Sequence, residues 1–145
     1  MIESILLVDD EDLFHLVFED ACSLLDISLS LQSLNSADEA EKKFKKWFQE
    51  ESQDGKPECV FVDLNIIGST FDGIELIRKI NFEYGNHVVI GIISSSNESD
   101  EQAKAIQAGA QFWIIKSDDI EPRLEEFRND YVGYKNRTAP FKIYK

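Results

Sequence analysis

Four runs of apolar residues punctuate the chain: Ile5-Leu6-Leu7-Val8, Cys59-Val60-Phe61-Val62, Val88-Val89-Ile90-Gly91-Ile92-Ile93 and Phe112-Trp113-Ile114-Ile115. None alternates with polar residues, so each reads as a strand buried on both faces, the pattern of a parallel sheet covered by helices. Between them the period changes to that of a helix. Residues 11–25 carry Leu13, Phe14, Val17, Ala21, Leu24 and Leu25 at helical spacing. Ser36, with Glu39 three residues on, forms a capping-box pattern opening a helix that turns Ala40, Phe44, Trp47 and Phe48 inward. Residues 73–82 hold Ile74, Ile77 and Ile80 on one face, and residues 100–108 form a helix closed by Gly109. Pro122 stands near the start of the last helix, where its missing N–H costs nothing. Residues 27–31 alternate with period two, as an edge or half-buried strand does, and Asp54-Gly55-Lys56-Pro57 marks a turn. Five β-α units of this kind predict an α/β fold, flavodoxin-like and doubly wound, with a five-stranded parallel sheet in the order 2-1-3-4-5.

The 145 residues suit one core. We expect one domain over residues 1–133 and a short tail over 134–145. No apolar run is long enough to span a bilayer, and Met1-Ile2-Glu3 leads straight into a strand with no signal-peptide pattern, so a cytoplasmic protein is expected. The formal charge of −13, from 28 acidic and 15 basic residues, repels nucleic acid and anionic membrane. Cys22 and Cys59 lie in apolar segments and read as small buried hydrophobes. His15 and His87 stand apart, which speaks against zinc.

Each apolar run ends on a residue with distinctive chemistry. Asp9-Asp10 follows the first, Asp63 the second, Ser94 the third and Lys116 the fourth. Ligands of open α/β sheets bind beyond the carboxyl ends of the strands. The pattern therefore gathers three carboxylates, a hydroxyl and an ammonium around one crevice. Crowded carboxylates are relieved by a proton or a cation. An oxygen-rich cluster with few protein ligands suits Mg²⁺, which keeps waters and shares phosphate oxygens. Adjacent carboxylates also arise freely in so acidic a chain, as Asp118-Asp119 shows, so it is the joint order that carries weight.

In that order and spacing the chain resembles the receiver domain of bacterial two-component response regulators, over about residues 4–132. The resemblance rests on Leu7-Val8-Asp9-Asp10-Glu11, on Val60-Phe61-Val62-Asp63-Leu64-Asn65, and on Asp72-Gly73-Ile74-Glu75-Leu76. Ile92-Ile93-Ser94, Ala108-Gly109-Ala110 and Trp113-Ile114-Ile115-Lys116 complete it. It implies that Asp63 is the phosphoacceptor and also a Mg²⁺ ligand, that Asp10 ligates Mg²⁺ directly with Asp9 acting largely through water, and that the backbone carbonyl of Asn65 is a further ligand. It implies that Ser94 and Lys116 bind phosphoryl oxygens and that Trp113 holds the aromatic switch position. The implied partners are a sensor histidine kinase or phosphotransfer protein, and a downstream protein docking on the face of the fourth helix, fifth strand and fifth helix. A homodimer through that face is a further expectation.

The chain departs from the family pattern at several points. Ile67 stands where proline usually follows the phosphoacceptor, and Gly68-Ser69-Thr70 lengthens the loop, from which a more mobile metal-site loop is expected. Ser117 replaces the proline that often follows the lysine. A cis bond before a non-proline costs about 2.5–4 kcal/mol, so Lys116–Ser117 is expected to be trans. Trp113 is bulkier than the usual aromatic residue, and filling the core is its competing role. These departures keep open an alternative, a pseudo-receiver that binds proteins without phosphorylation. A flavodoxin-like cofactor binder is disfavoured because Asp9-Asp10-Glu11-Asp12 repels phosphate at the loop that would cradle it. The tail carries Lys135, Arg137, Lys142 and Lys145 with Tyr134, Phe141 and Tyr144. On an acidic body it is expected to dock in cis, dock onto a neighbour, or fray. Lys42, Lys43, Lys45 and Lys46 read as a solvated helix face.

Overall fold

The computed structural model describes residues 2–49 and 55–145; Asp54 of the expected turn lies outside them. The elements run β1 (Ile2–Val8), α1 (Asp12–Leu24), β2 (Ser28–Leu34), α2 (Ala37–Gln49), β3 (Cys59–Asp63), α3 (Gly73–Tyr84), β4 (Val89–Ser94), α4 (Ser99–Ala108), β5 (Phe112–Ile115), α5 (Glu121–Lys135) and β6 (Lys142–Tyr144). All strands are parallel in one sheet of order β2-β1-β3-β4-β5-β6. The flavodoxin-like order 2-1-3-4-5 is present, with one correction: the sheet has six strands rather than five. The addition comes from residues expected to be a tail, and α5 runs on to Lys135 with Tyr134 buried in it.

Successive side chains of a strand point to opposite faces, and this builds two cores. Val8, Val60, Val62, Ile90, Ile92 and Trp113 face α2, α3 and α4, while Ile5, Leu7, Phe61, Ile93, Phe112 and Ile114 face α1 and α5. On the second face Phe61 sits at 5.1 Å from Phe18, 5.3 Å from Phe112 and 5.3 Å from Phe127, measured between ring centroids. Such tilted and edge-on pairs add about 0.5–1.5 kcal/mol each beyond area burial. α1 is rotated from the face its sequence suggested. Phe14, Phe18, Ala21 and Cys22 are buried, whereas Leu13 and Leu24 are exposed.

Helix ends follow the chemistry of their sequences. Ser36 Oγ accepts from the Glu39 N–H at 3.1 Å, and Asp72 Oδ1 accepts from the Glu75 N–H at 2.8 Å. Gly109 closes α4 at φ 114°, a conformation that costs a side-chain-bearing residue dearly. Among the described residues no helix is long and apolar enough to cross a membrane.

Candidate functional site

Strand order reverses between β1 and β3: the chain leaves β1 for β2 on one side and returns to place β3 on the other. The helices on the two faces diverge there and leave a crevice above the strand ends. Register then fixes which side chains meet. Val8 pairs with Val62, so Asp9 and Asp63 emerge side by side. Asp63 pairs with Ile93, just before Ser94, and Ser94 pairs with Ile115, just before Lys116.

The carboxylates of Asp9, Asp10 and Asp63 offer oxygens that lie within 4.8 Å of one another. Lys116 Nζ is 2.8 Å from Asp9 Oδ2, 2.7 Å from Glu11 Oε1 and 3.8 Å from Asp63 Oδ2. Burial raises the Asp9 carboxyl against the pull of Lys116. Burial, with the charges of Asp9 and Asp10 added, pushes Asp63 from 3.8 up to about 7, although Lys116 opposes the rise. Burial alone would lower Lys116, but its bonds to Asp9 and Glu11 and the Asp63 charge outweigh that and hold the ammonium on. The donor set fits a hard divalent cation. Three carboxylates converge with a single close ammonium, and Asp9 Oδ2 has that ion pair but no aligned hydrogen bond.

Ser94 is buried and its Oγ accepts from the Ser96 N–H at 3.2 Å. Asn65 is exposed in the loop after β3. Trp113 does not reach the crevice. It is fully buried beneath it, and its indole N–H donates to the Ser96 carbonyl at 3.1 Å. The Lys116–Ser117 bond is trans, as every described peptide bond is.

A match to the model of the response regulator receiver domain runs from residue 5 to residue 126. The chain belongs to the response regulator receiver domain family. Membership puts it in two-component signalling, among domains that bind Mg²⁺ at an acidic pocket, act as phosphoacceptors rather than enzymes, and interact with histidine kinases and downstream effectors. Solved structures share the fold. NtrX from Brucella abortus is 22% identical with a TM-score of 0.76 over 94% of this chain, although this chain spans only 29% of that one. A CheY-like receiver domain protein from Methanospirillum hungatei is 14% identical, with a TM-score of 0.74 over 94% of this chain and 99% of its own. The Mn²⁺-bound response regulator Rcp1 is 17% identical, with a TM-score of 0.70 over 88% of this chain and 91% of its own. No curated protein sequence matches the chain.

This receiver domain supports its crevice with residues that the sequence reading did not single out. Glu11 holds Lys116 from the solvent side, and the Phe14 ring lies 4.4 Å from the same ammonium. His15 Nε2 donates to the Asp9 backbone carbonyl at 2.6 Å. All three sit on or just before the first turns of α1, whose start is fixed by the Asp9-Asp10 strand end; that proximity was the available signal. The lengthened loop does not hang free. Ser69 Oγ accepts from the Ala37 N–H at 2.9 Å, capping α2 from a distant segment. The Thr70 N–H donates to Asp38 Oδ2 at 2.8 Å and holds that carboxyl below its usual range.

Gly73 fixes the backbone of Asp63 by close approach. Its N–H donates to the Leu64 carbonyl at 3.0 Å, and a Cβ there would lie 2.0 Å from the Asp63 carbonyl oxygen. Gly73→Ala is therefore expected to destabilise the domain by about 2–3 kcal/mol and to weaken Mg²⁺ binding by displacing Asp63. Urea unfolding and a Mg²⁺ titration of the variant check both effects.

Proposed function

We propose that this domain is a Mg²⁺-dependent phosphoryl acceptor at Asp63 in a cytoplasmic signalling pathway. The observation that carries the reading is the Asp63 carboxylate itself, nearly buried beside Asp9 and Asp10 and 3.8 Å from Lys116. In water a carboxylate is a poor nucleophile toward an anionic phosphoryl donor. A preorganised set of positive charges removes that repulsion and offsets charge building on the transferred group. Asp10 would ligate Mg²⁺ directly, Asp9 largely through water, and Asn65 through its backbone carbonyl. A bound divalent ion would, together with the Lys116 ammonium, offset the charge of the three carboxylates and supply positive charge toward an incoming phosphoryl group.

A carboxylate oxygen of Asp63 attacks phosphorus in line. The P–N bond of a phosphohistidine donor, or the P–O bond of an acyl phosphate, breaks, and its electron pair leaves with the donor. Lys116 then turns from Asp9 and Glu11 to a phosphoryl oxygen. Ser94 donates its hydroxyl to another and gives up the Ser96 N–H. Trp113 is already fully buried. It responds through Ser96, which touches Ser94 by its N–H and Trp113 by its carbonyl. The donor is a sensor histidine kinase or phosphotransfer protein. The output is a downstream protein, or a second copy of this chain, meeting the α4–β5–α5 face, which here includes β6.

Beryllofluoride, which stands in for a phosphoryl group on a carboxylate, tests the reading. It should bind only with Mg²⁺ present, shift the Ser96 amide and the Trp113 indole signals, and fail on Asp63→Asn. Undiminished binding by that variant contradicts the reading. Mg²⁺ binding without any beryllofluoride response favours the pseudo-receiver.

A further inference from the structure

Strand β6 is held by side-chain recognition as much as by its backbone. Lys142, Ile143 and Tyr144 pair in parallel with Phe112, Trp113 and Ile114. The Lys142 ammonium sits between Glu126 and Asp130 of α5, at 2.7 Å and 3.0 Å. The Tyr144 ring is fully buried against Phe127, and its hydroxyl meets the Tyr134 hydroxyl at 2.8 Å and donates to Asp130 at 2.7 Å. Ile143 packs on the opposite core, whose members include Trp113. Asp130 therefore reads two residues of the strand at once, a cation at one position and a tyrosine two positions on.

The connection to this strand is differently built. Arg137, in the left-handed region at φ 61°, donates to the carbonyls of Gly85 and Val88 and pins the turn. Between that turn and β6, Ala139 and Pro140 cross α5 over a hollow of about 340 Å³ lined by Asn129, Asp130, Gly133 and Tyr134. The Thr138 and Ala139 N–H groups donate to the Gly133 carbonyl at 2.8 Å and 3.0 Å, so the strand is a short recognised segment that follows an anchored turn.

We propose that the β5 edge and the adjoining flank of α5 form a peptide-binding slot, filled in cis by residues 140–145. Its ligand class is an extended segment parallel to β5 with a basic residue and, two positions later, a tyrosine. Main-chain pairing supplies affinity and the alternate side chains supply selectivity, as in strand addition to a sheet edge. An open β5 edge would otherwise invite unspecific pairing. The inference does not depend on phosphorylation, though the slot lies on the proposed output face.

Hydrogen exchange on the full chain and peptide addition test it together. The β6 amides should exchange by local opening, well before those of β1 and β3. In the full-length double variant Lys142→Ala/Tyr144→Ala, the peptide of sequence 140–145 should bind saturably and shift Phe112, Trp113 and Ile114. It should bind at least tenfold more weakly once Asp130→Asn is added. A scrambled peptide that binds equally well, or indifference to Asp130→Asn, overturns the proposal. So do β6 amides that exchange only with global unfolding, and that result holds even where the double variant fails to fold.

Discussion

Without divalent metal at pH 8, Asp63→Asn is expected to make this receiver domain more stable, by about 2–3 kcal/mol. Asp63 has a folded pKa of about 7 against an ordinary 3.8, a difference worth roughly 4 kcal/mol. The sign follows from proton binding. Between those two values the native state holds a proton that the unfolded state has released. Stability therefore falls as pH rises through that window, and the full penalty is present above about pH 7. An amide carries no charge to desolvate and does not repel Asp9, and burying its polar atoms returns part of the gain. The melting temperature should rise by roughly 4–10 °C at pH 8 and change little near pH 4. Mg²⁺ should stabilise the parent at pH 8 and the variant far less. A variant less stable than the parent at pH 8 would mean that Asp63 is not a strained carboxylate.

Removal of the ammonium should act in the opposite direction. Lys116→Ala strips Asp9, which is fully buried, of the cation 2.8 Å away. Breaking a buried pair by deleting one partner costs about 3–5 kcal/mol, because a charge is left uncompensated. Lys116 is itself nearly buried, so solvent screening gives little relief. A loss of about 3 kcal/mol is expected at pH 8 in urea unfolding. The loss should shrink toward pH 5, where the carboxyls of Asp63 and Asp9 take up protons more readily than ordinary ones. Adding Asp9→Asn to Lys116→Ala should recover much of it. A neutral Lys116→Ala would show that the ion pair does not support the fold.

The fold and the strand-end residues were legible in the sequence for one reason. A strand buried on both faces must be uniformly apolar, so each polar residue that ends it is conspicuous. Asp9, Asp63, Ser94 and Lys116 all stand out in this way. The face of α1 was less legible because Leu13 and Leu24 are as apolar as the buried Phe14 and Phe18, and only the sheet decides which stripe faces inward. β6 was obscured because its three residues alternate Lys142, Ile143, Tyr144. Its partners Glu126, Asp130 and Tyr134 lie on α5, and nothing local announces their meeting. The Ser69 cap on α2 joins residues 32 positions apart, so it too is invisible to local pattern.

Intact-protein mass after incubation with acetyl phosphate, with and without Mg²⁺, tests the central claim most directly. The account predicts a single phosphoryl adduct that requires Mg²⁺ and is absent from Asp63→Asn. An adduct of equal yield and rate on Asp63→Asn, or no Mg²⁺-dependent adduct from either acetyl phosphate or a phosphorylated histidine kinase, would contradict it.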